Sequence, residues 1–333
     1  MSDGDSCRLK YFEGEPEVLA EVRQMWDEIF DDPEEFADYY FTEICKQNKI
    51  LLAYKGDVLA GMIHLNPYEM QVEGKKELCY YIVGVAVKPE QGIMHKMMQR
   101  VLADMKKDGR AFAFLMPERE EYYESLGFEK VFHTLELDID IAELEDENVV
   151  PDDLSGEEGY YTKNLKDLHE ERADILEHLS GEVNEALAKK YRIYAHRTPQ
   201  YLEQMCMEHR CQNGDVVAVY EDGMHMDDGQ VEERLAGMFS YDIYDDTMYV
   251  ERFESFDDHV RYVLDAAVRL AEQAFCRRLV VTMSERHFCD DIANMLGVSV
   301  RMNDGYGFMA LSLQGDDSLM SILHEASFFD EIV

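Results

Sequence analysis

The feature that most restricts the fold is that the chain carries one pattern twice. "ILLAYKGDVLAGMIHLNPY" runs from Ile50 to Tyr68, and "VVAVYEDG", a polar insert and "RLAGMFSYDIY" run from Val216 to Tyr244. Each passage is apolar and β-branched, breaks at a Gly/Asp turn and resumes with Leu-Ala-Gly-Met, at 59–62 and again at 235–238. That is the pattern of a hairpin. A second pair comes in the same order: "RAFAFLMPEREEYYESLGF" from Arg110 and "RRLVVTMSERHFCDDIANMLGV" from Arg277. Each reads as a buried strand, a Met-Pro-Glu-Arg or Met-Ser-Glu-Arg turn, and a helix closed by Gly127 or Gly297, glycines suited to a helix C-cap. Two matches in the same order argue for a duplicated domain.

A helix is predicted between the landmarks of each copy. In the first, Ile93, Met97, Val101 and Met105 fall four apart on one face, and Gly109 ends the helix. In the second, Val260, Leu264, Val268 and Ala271 share a face, with Asp257 or Asp258 as N-cap. Each copy therefore reads helices, hairpin, strand, helix, strand, helix, strand. The class is α/β (α+β): two tandem domains, each a mixed, mostly antiparallel sheet flanked by helices. The expected bounds are 1–142 for the first domain, 143–159 for an acidic linker, and 160–333 for the second with a short amphipathic docking tail, "SILHEASFFDEIV".

The 333 residues suit two domains, and 46% hydrophobic content supplies their cores. A formal net charge of −39 disfavours nucleic acid and anionic lipid as partners and favours cationic ones. No apolar run reaches the roughly 18 residues of a membrane span, and the acidic N-terminus does not read as a signal peptide. The expectation is a soluble cytoplasmic protein. Seven cysteines show no metal or disulfide spacing. The closest group, Cys206, His209 and Cys211 on one helix, lacks a zinc pattern, so no metal is expected.

The first copy resembles the GCN5-related N-acetyltransferases (GNAT) over roughly Leu9 to Asp140. The likeness rests on "YYIVGVAVKP", the glycine-started helix at Gly92, "AFAFLMP" and, most specifically, "EEYYESLGF". The tandem order further resembles the enhanced-intracellular-survival type, in which a catalytic domain precedes a degenerate copy and a sterol-carrier-like domain. No third domain is read in this chain. The resemblance implies acetyl-CoA as cosubstrate and a small-molecule or peptide amine, expected to be cationic, as acceptor; a homo-oligomer is left open. It implies Tyr123 as general acid, chosen over Tyr122 by the motif register. It implies Val85, Ala86 and Val87 as the strand that meets the pantetheine arm, and Gln91, Gly92, Ile93 and Met94 as the pyrophosphate turn. From the residues alone, Gly84 marks a bulge or a close backbone approach. No base is identified; His64, Glu69 and Glu77 lie on strands that could line a cleft.

Two details bear on activity. The second copy replaces the glycine turn with "ERFESFDDHV" and places Ile292 and Ala293 where Tyr122 and Tyr123 stand. It reads as a scaffold beside a catalytic first copy. The turn of the first copy is short: Gly92 comes three residues after Pro89, about three fewer than the family pattern. An alternative is therefore a non-catalytic GNAT-fold binding protein with a shortened CoA loop.

Overall fold

The strands form where β-branched and aromatic residues alternate, and the helices where apolar residues recur every three to four positions. The computed structural model describes residues 7–88, 92–144, 159–167, 172–221, 234–257, 259–284 and 301–331. In chain order the elements are β1 (Cys7–Tyr11), α1 (Pro16–Ile29), α2 (Glu34–Tyr39), β2 (Lys49–Lys55), β3 (Val58–Val72), β4 (Lys75–Val87), α3 (Ile93–Lys107), β5 (Phe112–Leu115), α4 (Glu121–Glu124), β6 (Glu129–Asp140) and α5 (Ile141–Leu144). Then come β7 (Tyr160–Asn164), α6 (Arg172–Lys190), β8 (Ile193–Ala195), α7 (Pro199–Cys211), β9 (Asp215–Glu221), β10 (Arg234–Tyr244), β11 (Thr247–Ser255), α8 (Val260–Gln273), β12 (Arg278–Ser284), β13 (Arg301–Ser312), α9 (Asp317–Ala326) and β14 (Ser327–Phe328). Residues 145–158 of the predicted 143–159 linker, the residue Gln91 and the helix leading to Gly297 lie outside the described residues.

The chain divides into two compact units, and neither is one continuous stretch. One holds 1–132, 191–196 and 307–333; the other holds 133–190 and 197–306. In the first unit the strand order is β1-β2-β3-β4-β5, and the far part of β13 completes it, with Met309 opposite Leu115 and Ser312 opposite Phe112. In the second unit β7-β9-β10-β11-β12 is completed by β6, from Thr134 opposite Ser284 to Asp140 opposite Arg278. Each repeat thus gives its last strand to the other repeat's unit. The sequence bounds of 1–142 and 160–333 describe the repeats, and the compact units differ from them by this exchange.

The two repeats share their irregularities as well as their elements. In the first, the β2–β3 ladder shifts between Ala53 and Tyr54, and the β3–β4 ladder shifts between Met62 and His64. In the second, the shifts fall between Leu235 and Gly237 and between Met238 and Ser240. Counting from the Leu-Ala-Gly-Met landmark, these are the same positions.

The predicted stripe on α3 is buried throughout: Ile93, Met97, Val101 and Met105, joined by Met98. With Leu51, Ala53, Ile63, Leu65, Ile82 and Leu115 it builds the core on one face of the first sheet. On the other face α1 and α2 pack Val22, Met25, Trp26 and Tyr40 over Ile50, Leu52, Met62 and Ala86. Two expectations change. Helix α8 starts after His259 rather than on an aspartate cap, and Asp257 takes a left-handed φ of 48°. The tail docks, but in the first unit rather than with the second repeat: β14 pairs with β8, and Phe329 is fully buried against Phe114 and Phe308.

Candidate active site

The first unit is opened along β4. This strand pairs with β3 along most of its length, from Lys75 to Val87. On its other side, among the described residues, it pairs with β5 only at Tyr80–Ala113 and Tyr81–Phe114. From Ile82 to Val87 the β5 side of the strand has no ladder partner among those residues, so its backbone groups are available to a ligand. Val85, Ala86 and Val87, the predicted cofactor strand, lie in this stretch. Val85 and Val87 pack towards the α3 face, and Ala86 towards the α1 face.

A bulge at Gly84 lies within the open stretch. Gly84 has φ +58°, and a β-carbon there would sit 2.6 Å from the Trp26 ring and 3.3 Å from His64 Cδ2. Glycine is therefore required twice over, by conformation and by space. Gly92, also left-handed at φ 57°, precedes the first turn of α3, with Ile93 buried and Met94 half-buried beyond it. The predicted Gln91 is not among the described residues.

Tyr123 and Tyr122 separate cleanly. Tyr122 is 52% exposed, while Tyr123 is 8% exposed and lies in the α3-face core. The cause is the cap of α4. The Phe128 N–H bonds the Tyr123 carbonyl, and the Gly127 N–H bonds the Glu124 carbonyl, with Gly127 at φ 93°. That is a Schellman closure, and its usual apolar contact is here the edge-on packing of Phe128 on Tyr123, 6.1 Å between rings. The Leu-Gly-Phe of the motif thus turns Tyr123 inward. Among the described residues its hydroxyl has no hydrogen-bond partner. Burial, with Glu118 and Tyr122 nearby, pushes its pKa up to about 12, so the phenol keeps its proton at neutral pH.

On the opposite face of β4 lies a buried polar layer. Tyr40 Oη lies 3.0 Å from His64 Nδ1 and donates to Asn66 Oδ1 at 3.3 Å; Asn48 Nδ2 donates to it at 3.0 Å. Burial lowers the His64 pKa to about 3 and raises that of Tyr40 well above its ordinary value. His64 is the cross-strand neighbour of Val83, next to Gly84. Glu69 and Glu77 lie at the far end of the same hairpin, and Glu69 is paired with Lys76 at 2.8 Å. Of the three residues considered as bases, only His64 borders the opening.

The second unit closes the same place. There β11 pairs with β12 from Thr247 to Val250 and again at Phe253–Met283. Arg252 occupies the bulge position of Gly84, at φ 48°, and holds Glu208 through two contacts of 2.9 and 3.1 Å. Glu254, at the position of Ala86, is buried and paired with Arg197 at 3.2 Å. The sequence reading took both as part of the strand-to-helix turn "ERFESFDDHV", whereas they lie within β11, because charged residues in a row look like a solvated turn. Among the described residues, no group of three or more His, Cys, Asp or Glu side chains could hold a metal ion.

Residues 13–131 match the model of an acetyltransferase (GNAT) domain. No curated protein matches the chain. Among solved structures, a conserved protein of Enterococcus faecalis V583 described as a probable N-acyltransferase aligns at TM-score 0.69 and 15% identity, covering 93% of this chain and 73% of its own. A tandem GNAT protein from the clavulanic acid biosynthesis pathway aligns at TM-score 0.55 and 11% identity, covering 92% of this chain and 99% of its own. Eis1 of Mycobacterium abscessus aligns at TM-score 0.61 and 12% identity, over 92% and 74%. At such identities the structural likeness is one of fold. The matched segment, 13–131, is a GNAT domain by that model, and the likeness to the tandem GNAT structure shows a tandem arrangement of that fold over the chain. The fold supports acyl transfer in general, and GNAT acetyltransferases use acetyl-CoA.

Proposed function

We propose that the chain is an N-acetyltransferase that moves an acetyl group from acetyl-CoA to a primary amine of a cationic substrate. The observation that carries this reading is the opening of β4 away from β5 in the first unit, absent from the second, with Tyr123 in the same α3-face core as Val85 and Val87. Free backbone groups from Ile82 to Val87 receive the pantetheine amides of the substrate, with Val85, Ala86 and Val87 as the contact strand. The pyrophosphate lies towards Gln91, Gly92, Ile93 and Met94.

The amine nitrogen, neutral at the moment of attack, bonds to the thioester carbon. The carbon–sulfur bond breaks, the thiolate takes the proton of the Tyr123 hydroxyl, and the new ammonium loses a proton to solvent, which re-protonates the phenolate. A buried phenol without a protein partner suits the donor role. The net charge of −39 favours a cationic acceptor.

The direct test is acetyl transfer to a polyamine, an aminoglycoside and a lysine peptide. Tyr123→Phe is expected to lower kcat about 10²–10⁴-fold with acetyl-CoA affinity unchanged. An unaltered kcat would remove Tyr123 from the chemistry. A second reading, a GNAT-fold binding protein without turnover, is favoured by the three-residue step from Pro89 to Gly92. Calorimetry with acetyl-CoA separates the two: micromolar binding with turnover supports the enzyme, and no binding supports the alternative.

A further inference from the structure

The polar layer under α1 and α2 is unfinished. His64 is fully buried and Asn66 is 2% exposed. Yet His64 Nε2, Asn66 Nδ2 and the neighbouring Asn48 Oδ1 have no hydrogen-bond partner among the described residues. Buried polar atoms are almost always paired, so such atoms call for an explanation.

Donor counting gives the open atoms their character. The Tyr40 oxygen has one proton and two lone pairs. Its proton goes to Asn66 Oδ1, and Asn48 Nδ2 fills one lone pair. His64 Nδ1 therefore donates its proton to the other. The Nε2 atom is then a bare acceptor, while Asn66 Nδ2 is a spare donor. Both residues belong to one face of β3, two positions apart. They stand opposite Val83 and Tyr81, where β4 parts from β5.

The second unit supplies an internal control. The positions of His64 and Asn66 are taken there by Ser240 and Asp242, and both are satisfied. Ser240 Oγ donates to the Glu251 carbonyl at 3.2 Å, and Asp242 meets His209 Nδ1 at 3.0 Å. Beside these two residues the buried atom without a hydrogen bond is His209 Nε2, on a helix; Asp215 Oδ1, on β9, lacks one as well. Among the described residues β10, the strand equivalent to β3, carries no such atom.

We infer that His64 and Asn66 form the polar end of the acceptor site, and that they select an amine with an oxygen close by, as in an amino alcohol or a peptide N-terminus. The inference rests on the acetyl-transfer reading for its location and sharpens the substrate class. The amine donates an N–H to His64 Nε2, which leaves its lone pair for the thioester. The neighbouring oxygen accepts from Asn66 Nδ2. Side chains two apart on a strand face are separated by about 7 Å, a span that an N–C–C–O unit fills with a hydrogen bond of about 2.9 Å at each end. A plain alkyl diamine offers no acceptor to Asn66. Because Tyr123 packs on the other face of the sheet, amine and acid approach the opening from opposite sides.

The chain's single tryptophan reports on this place. Trp26 stacks on Tyr40 at 4.6 Å and meets His64 edge-on at 5.4 Å. Titration of the full chain with alaninamide, 1-amino-2-propanol and 1,4-diaminobutane is expected to change Trp26 fluorescence for the first two at concentrations at least tenfold below the third. His64→Leu and Asn66→Asp should each weaken the oxygen-bearing amines at least tenfold, and His64→Gln, which keeps an acceptor, should recover most of the loss. Equal binding of the diamine, or no response to any amine, would overturn the inference. So would folded His64→Gln and Asn66→Asp proteins that both bind like the parent while His64→Leu does not fold. Acetyl-CoA calorimetry, run alongside, fails or succeeds independently. Its failure alone would sink the transferase reading and leave the amine result standing.

Discussion

Gly84 and Arg252 hold one register position in the two repeats, and at this single residue the copies part company. Gly84→Ala places a β-carbon at φ +58° and 2.6 Å from Trp26. A left-handed non-glycine residue and a tight overlap each cost about 1–3 kcal/mol, so urea unfolding should show a loss of about 2–6 kcal/mol. Arg252→Gly relieves the backbone but strands Glu208, and it too should destabilise, by about 2–4 kcal/mol. An unchanged midpoint for either would contradict the bulge geometry. His64 adds a pH effect. Its folded pKa is lowered to about 3 from 6.5, so below about pH 6.5 the unfolded chain takes up a proton that the folded chain refuses. Stability conferred by the neutral imidazole is then lost as pH falls from about 6.5 towards 3, by up to ~1.4 kcal/mol per pH unit, and is flat above. His64→Gln should flatten that limb of the stability–pH curve; an identical limb would show that His64 is not the titrating group. The strand glycine announced the bulge in the sequence. The role of Arg252 was hidden, because a buried arginine in a strand looks like a surface one until its partner on another element is known.

At the scale of elements, the one-turn helix α4 is held mainly by its closure. Gly127 at φ 93° and the Phe128–Tyr123 contact fix where the phenol points. Gly127→Ala is expected to cost about 1 kcal/mol in stability. Its larger effect should fall on acetyl transfer, with acetyl-CoA affinity retained, because the cap is lost and not the cofactor strand. Parallel thermal melts and single-turnover assays check this; a transfer rate equal to the parent's would show that Tyr123 is oriented by other contacts. The helix α3 was legible because a four-residue stripe needs only local periodicity. The opening of β4 was legible only as a resemblance, since the length over which two parallel strands pair depends on where the shorter one turns away, and local periodicity does not mark that point. The buried layer of Tyr40, Asn48, His64 and Asn66 left no such mark. Tyr40 and Asn48 come from other parts of the chain than the strand that carries His64 and Asn66, and each looks ordinary alone.

At the scale of the whole molecule, two properties matter: its charge and the exchange of last strands. A net charge of −39 should steer a cationic acceptor at low salt, and raising ionic strength shortens the Debye length from about 30 Å at 0.01 M to about 8 Å at 0.15 M. The acceptor KM is therefore expected to rise with salt while acetyl-CoA affinity changes less; a salt-independent KM would remove the steering argument. Duplication was readable from two short landmarks, but the exchange was not, because β6 and β13 each look able to complete either sheet and only pairing decides between them. The exchange makes the first unit depend on residues from 307 onward. Truncation at 306 should strip hydrogen-exchange protection from β5 and expose the ring cluster of Phe112, Phe114 and Phe132, and normal protection there would refute the dependence. The same feature fixes an order of birth. As the chain leaves the ribosome, the second unit has all of its strands once β13 begins, whereas the sheet that carries Tyr123 waits for Met309 to Ser312. At about 5–20 residues per second, β5 emerges roughly 10–40 s before the strand that covers it. The half of the protein made first is finished last, and in that interval its exposed edge must be kept from other chains by slow collapse, by a chaperone, or by borrowing β6.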